Sequence, residues 1–94
     1  MLEKEIEKKV CEYARSKGVL AYKFTSPARS AVPDRLLIAP GGKVFFIEFK
    51  RLGVLPTAPQ KREHAALRSA GVDVHVIDNV EAGQKLVDAY ALTF

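Results

Sequence analysis

A glycine pair between two apolar runs fixes how the middle of this 94-residue chain can fold. Leu36-Leu37-Ile38 comes before Gly41-Gly42 and Val44-Phe45-Phe46-Ile47 after it, a pattern that predicts a β-hairpin turned on the glycines. The second run continues into Glu48-Phe49-Lys50. There the period of two sends Glu48 and Lys50 to one face and Phe49 to the other. Val44 and Phe46 share the face of Glu48, while Phe45 and Ile47 share that of Phe49. Both faces are therefore apolar, and the strand is expected inside a sheet. Pairing about the turn puts Asp34, which follows Val32-Pro33 and opens the first strand, beside Glu48 to Lys50. Two carboxylates and an ammonium converge.

That combination suits a hard divalent cation, because Mg²⁺ takes carboxylate oxygens, keeps several waters and shares its remaining positions with phosphate. A bound ion polarises a phosphoryl oxygen and acidifies a water, and a nearby ammonium steadies developing negative charge. Phosphodiester hydrolysis is the matching reaction. The plainer reading is that Asp34 merely begins a strand and that Glu48 and Lys50 form a solvated ion pair. Glu-Phe-Lys alone is a weak signal, and the hairpin geometry strengthens it.

Four segments resemble the virus-type replication-repair nuclease (VRR-NUC) family of the PD-(D/E)xK nuclease superfamily. They are Lys23-Phe24-Thr25-Ser26-Pro27, Val32-Pro33-Asp34-Arg35, Pro40-Gly41-Gly42-Lys43-Val44 and Phe46-Ile47-Glu48-Phe49-Lys50. The resemblance covers nearly the whole chain, read as one domain over 1–94, and implies a Mg²⁺- or Mn²⁺-dependent DNA nuclease. It implies that Asp34, Glu48 and the main-chain carbonyl of Phe49 hold the metal, and that Lys50 is the catalytic lysine. The family's later glutamine matches Gln60, with a departure at Thr57-Ala58-Pro59 ahead of it. An early helix acid in a Glu-x-x-Ile setting matches Glu3 of Glu3-Lys4-Glu5-Ile6, an auxiliary acid for the metal or its water. Acids also favour a first helical turn for the dipole alone, and Glu7 lies at the margin of the same face.

Charge distribution agrees with an anionic partner. The net charge is +4, but residues 23 to 68 hold nine Lys/Arg against three acids, and residues 69 to 94 hold one base against four. The positive field surrounds the proposed metal site, as a nucleic-acid surface requires. Arg29, Arg35, Arg51 and Lys61 are the candidate DNA contacts. The one cysteine, Cys11, has no disulfide partner and is expected to pack as a small apolar group. No apolar run approaches the roughly 20 residues of a membrane span, and the first residues lack the pattern of a signal peptide. A cytoplasmic protein with no membrane partner is expected.

In chain order, residues 2 to 17 predict an amphipathic helix presenting Leu2, Ile6, Val10, Tyr13 and Ala14, stopped by Gly18. Residues 19 to 25 predict a strand with Tyr22 and Phe24 on one face. A polar, proline-bounded loop over 26 to 33 is a candidate substrate loop, and so is the loop 51 to 58. A second helix is expected over 59 to 70, with Lys61, Arg62 and Arg68 facing solvent. A last strand is expected over 72 to 77 and a helix over 80 to 92 capped by Asp78-Asn79, with Gly83 weakening its start. His64 and His75 receive no role.

The order α-β-β-β-α-β-α predicts a restriction-endonuclease-like, three-layer α/β core around a mixed sheet. The favoured function is a Holliday-junction resolvase-like endonuclease of phage or prophage origin, recognising branched DNA by shape as a two-fold homodimer. Two alternatives stay open: a flap or end nuclease within a replication complex, and a noncatalytic DNA-binding module.

Overall fold

The computed structural model describes residues 1–92, so the last two residues of the expected domain lie outside the described residues. Its elements are α1 (Glu3–Ser16), β1 (Leu20–Lys23), β2 (Arg35–Ala39), β3 (Lys43–Phe49), α2 (Ala58–Ser69), β4 (Asp73–Ile77) and α3 (Val80–Leu92). The order is the expected one.

The sheet runs β1-β2-β3-β4. β1 and β3 are antiparallel to β2, and β4 is parallel to β3. A parallel neighbour needs a crossover, and α2 supplies it. β3 is thus internal, and its burial follows the two-faced apolar pattern: Phe45, Ile47 and Phe49 are fully buried on one side, and Phe46 and Glu48 nearly so on the other. Gly41 and Gly42 both adopt positive φ, at 87° and 80°, which a side chain would resist. They turn the chain so that Arg35 pairs with Ile47 and Ala39 with Lys43.

The main core lies between the sheet and the α1/α3 layer. Ile6, Val10 and Ala14 of α1, one and two turns apart, meet Phe45, Ile47 and Phe49 of β3 and Val87 of α3. Cys11 is buried in this core, and burial pushes its thiol pKa up, which suits packing and not nucleophilic work. Tyr13 of α1 donates to Asp88 of α3 at 2.7 Å, and the Tyr90 ring stacks on Phe45 with centroids 3.8 Å apart. The opposite face is covered by α2 and is polar where it matters, with Glu48, Glu63 and His64 as its buried charged or titratable groups.

Two elements start one residue away from where they were expected. Val19 is buried where the chain leaves α1, its N–H bonded to Ala14 O, so the first strand starts at Leu20. α2 starts at Ala58 because Thr57 caps it: Thr57 Oγ1 accepts from Gln60 N–H, and Gln60 Oε1 accepts from Thr57 N–H.

Gly83 corrects a sequence expectation. It is buried against α1, where a Cβ would meet Val10 and Ile77, so it permits the close approach of two helices where a weakened helix start was expected.

Candidate active site

Asp34 precedes the β2 ladder by one residue and is fixed from two sides. Its carbonyl accepts Phe24 N–H at 3.0 Å, and its Oδ2 accepts Phe49 N–H at 2.8 Å. These bonds bring the carboxylate to the end of β3, against Glu48. Glu48 itself is 1% exposed. Burial, then the charge of Asp34 and a hydrogen bond to it, push the Glu48 carboxyl up to about 8, against the opposing pull of Lys50. Two carboxyl groups in one desolvated space share a proton unless a cation intervenes.

α2 closes the site from above. Gln60 Nε2 donates to Glu48 Oε2 at 3.3 Å, and one turn later His64 Nε2 stands 3.5 Å from Glu48 Oε1. Burial lowers the His64 pKa, and the positive charges of Arg68 and Lys50 lower it further against the opposing pull of Asp34 and Glu63, which favours the neutral ring. Lys50 follows β3, half-buried, with its backbone N–H bonded to Ile77 O at 2.9 Å. Its charge acts on both Glu48 and His64.

The structure therefore brings Asp34, Glu48, Lys50 and Gln60 together. Glu3, at the start of α1, is near enough for its charge to bear on Glu48, as the smallest of the influences on that carboxyl. Among the described residues no three His, Cys, Asp or Glu side chains form a group able to hold a metal by themselves, so Glu3 does not complete a three-acid set. Glu7, the alternative helix acid, has its carboxylate bonded to Arg35 Nε at 2.7 Å.

That pair also corrects the reading of Arg35 as a DNA contact. The Arg35 and Glu7 side chains are only 14% and 15% exposed, and the pair ties β2 to α1. Arg29 is more exposed, at 60%, but its Nε is held by Glu63 at 2.6 Å, anchoring the loop before β2 to α2. Arg51, Lys61 and Arg62 remain on the surface around the site. Arg68 is exposed, as expected, and also donates to Val74 O at 2.7 Å.

His64 was missed by sequence reasoning. The available signal was the spacing of Gln60, Glu63, His64 and Leu67, which occupy one helical stripe. A helix with so few large apolar residues must turn polar groups inward. His75, by contrast, bonds to Tyr90 OH at 2.8 Å on the far side and is structural.

A mixed four-stranded sheet between helical layers, with two carboxyl groups and a lysine where β2 and β3 meet, defines a restriction-endonuclease-like nuclease core. A solved structure titled "VRR_NUC domain" superposes with a TM-score of 0.86 at 32% identity, covering 94% of this chain and 96% of that one. The "Putative nuclease p44" of Acyrthosiphon pisum secondary endosymbiont phage 1 is 48% identical over 77 residues, 82% of this chain and 83% of that protein. No family model matches the sequence. The chain belongs to the VRR-NUC family.

Proposed function

We propose that this chain is a divalent-cation-dependent DNA endonuclease that cuts branched DNA, four-way junctions first among them, as a homodimer in phage or prophage replication or repair. The observation that carries the reading is the Asp34–Glu48 pair: two carboxyl groups pressed together, one of them buried, with a lysine beside them. A pure binding module gains nothing from carboxylates facing phosphates.

The residues fit a cation of the Mg²⁺ type. Glu48 Oε1 is buried without a hydrogen-bond partner, with lone-pair sites for a cation as well as for one N–H, and the repulsion that protonates the pair is what a cation would relieve. Asp34, Glu48 and the Phe49 carbonyl would hold Mg²⁺ or Mn²⁺, with Glu3 bearing on its waters; one or two carboxylates suffice when phosphate and water complete the shell. When bound, the ion supplies Lewis acidity toward a phosphoryl oxygen and acidifies a water. Lys50, on the Glu48 face of β3, orients the attacking water and offsets the negative charge that develops on the phosphorus oxygens. Gln60 keeps the Glu48 carboxyl turned into the site. Arg51 and Lys61 bind flanking phosphates.

Substrate choice follows from what surrounds the site. Residues 49–62 contain four basic and no acidic side chains, which gives affinity for any phosphate backbone without sequence information. Shape is then the remaining basis for selection. No helix of the described residues is long and apolar enough to cross a membrane.

Four-way junction, flap, nicked and linear duplex substrates, incubated with Mg²⁺ and resolved on gels, test this. Junctions are cut first, Asp34→Ala leaves them intact, and sedimentation gives a dimer. Equal cutting of linear duplex removes the junction claim, and cutting that survives both chelation and Asp34→Ala removes the metal-dependent nuclease itself.

The two arginines make a separate prediction about binding. Arg51→Ala lowers the salt slope of DNA affinity by about one phosphate contact. Arg35→Met lowers thermal stability by stranding Glu7 and leaves that slope unchanged. Fluorescence anisotropy across a salt series checks both, and a slope altered by Arg35→Met would return that residue to the DNA surface.

A further inference from the structure

Among the described residues, two buried side-chain polar atoms have no hydrogen-bond partner, Glu48 Oε1 and His64 Nε2. They face each other at 3.5 Å. Both residues are 1% exposed, so bulk solvent does not reach them. An unpaired donor and an unpaired acceptor buried side by side are each unfavourable, and a small closing movement would satisfy both. The other Glu48 oxygen already has its partner in Gln60 Nε2, at 3.3 Å. Gln60 and His64 are four residues apart, hence one above the other on the same face of α2.

We propose that α2 grips Glu48 by both oxygens, Gln60 on Oε2 and His64, as the Nε2–H tautomer, on Oε1, making His64 a positioning residue that sets this carboxylate for a divalent cation. The inference rests on the cation-binding reading of the site and adds a residue to it. His64 touches neither the cation nor the phosphate. Its task is orientation: a carboxylate on a flexible side chain holds a cation well only if its rotamer is fixed before the ion arrives, and outer hydrogen-bond partners supply that fixing. A space-filling histidine would present a ring of the same volume but would not require its N–H on the side of Glu48. Once Glu48 is ionised, as it must be to hold a cation, the Nε2–H tautomer is required, since the opposite tautomer would set two lone pairs against each other.

Mn²⁺ titration by calorimetry separates the two roles. His64→Phe keeps the ring volume and removes the donor, whereas His64→Gln keeps an N–H donor. The expected result is Mn²⁺ affinity weakened about 10- to 100-fold in His64→Phe and mostly recovered in His64→Gln, both variants folded by circular dichroism. Equal affinity of wild type and His64→Phe, or equal losses in the two variants, overturns the positioning role. A second measurement needs no variant: long-range ¹H–¹⁵N spectra of the metal-free wild type, recorded well above the pKa of about 8 of the Glu48 carboxyl so that it is ionised, show a proton on Nε2 if the inference is right, and a proton on Nδ1 alone overturns it. Wild type that binds no Mn²⁺ would sink the cation reading instead, while the tautomer still decides whether His64 donates to Glu48.

Discussion

Glu48→Gln is expected to abolish DNA cleavage and to make the metal-free protein more stable at pH 8. Loss of activity follows from removing one of two carboxylates; since even outer partners of a metal ligand are worth about 10- to 100-fold, a ligand itself is worth more than about 100-fold. The gain in stability follows from the environment. Burial and the neighbouring Asp34 hold the Glu48 carboxyl pKa at about 8, far above the 4.5 of an exposed glutamate. A group whose folded pKa is raised favours the protonated state in the fold, so the contribution of Glu48 to wild-type stability is fullest below about 4.5 and falls as pH rises toward 8. Glutamine is a neutral shape mimic of the protonated acid, and Gln60 and His64 already face that position. The variant therefore lacks the pH slope, and the gap between the two melting curves widens from pH 5 to pH 8. At the upper end the variant should melt higher by about 5 °C or more, since 1 kcal/mol is worth roughly 4–8 °C in a domain of this size. Scanning calorimetry in chelator at several pH values checks this. A variant that melts below wild type at pH 8 would mean that the Glu48 charge is well compensated and that no cation is called for. Added Mg²⁺ should raise the wild-type melting temperature and leave the variant unmoved.

The same pair shows why part of this site was legible from residues alone. A strand has a strict period of two and a hairpin has a strict register, so once Gly41-Gly42 is taken as the turn, Asp34 can only arrive next to Glu48. The register with Arg35 opposite Ile47 is what that reasoning requires. Gln60 was reached through the family resemblance alone; the capping box with Thr57, which holds it in the first turn of α2, is what the structure adds. What failed were properties that depend on which elements meet. Arg35 has the composition of a phosphate contact, and only the packing of α1 on β2 shows that Glu7 takes its charge. His64 was dismissed because a histidine on a helix has no local signature of what it faces. The stripe it shares with Gln60, Glu63 and Leu67 marks the inward face of α2, but its relation to Glu48 crosses from one layer to another and no spacing names that partner.

Gly83 is the position where a single added methyl group should do most harm. By helix propensity alone, Gly83→Ala should stabilise α3 by about 1 kcal/mol. The structure reverses that expectation. A Cβ on Gly83 would fall 3.0 Å from Val10 Cγ1 and 3.2 Å from Ile77 Cγ2, and closer still to Val10 Cγ2. Val10 and Ile77 are buried and packed into the main core, so neither is a flexible end that can swing aside. Overpacking of this kind costs about 1–3 kcal/mol, which outweighs the propensity gain, and Gly83→Val should unfold much of the population. Melting temperatures of Gly83→Ala, Val10→Ala and the double variant test the cause. Val10→Ala removes both obstructing methyl groups, so the double variant should be more stable than the sum of the single losses predicts, with a coupling above about 0.5 kcal/mol. Additive losses, or a higher melting temperature for Gly83→Ala alone, would show that α1 and α3 are not seated this closely. The consequence reaches the site, because α1 carries Glu3 at its start and joins β2 through Glu7 and Arg35. An α1 pushed off α3 at Val10 pulls on the strand that leads out of Asp34, so any Gly83→Ala protein that stays folded should also bind Mn²⁺ more weakly than wild type.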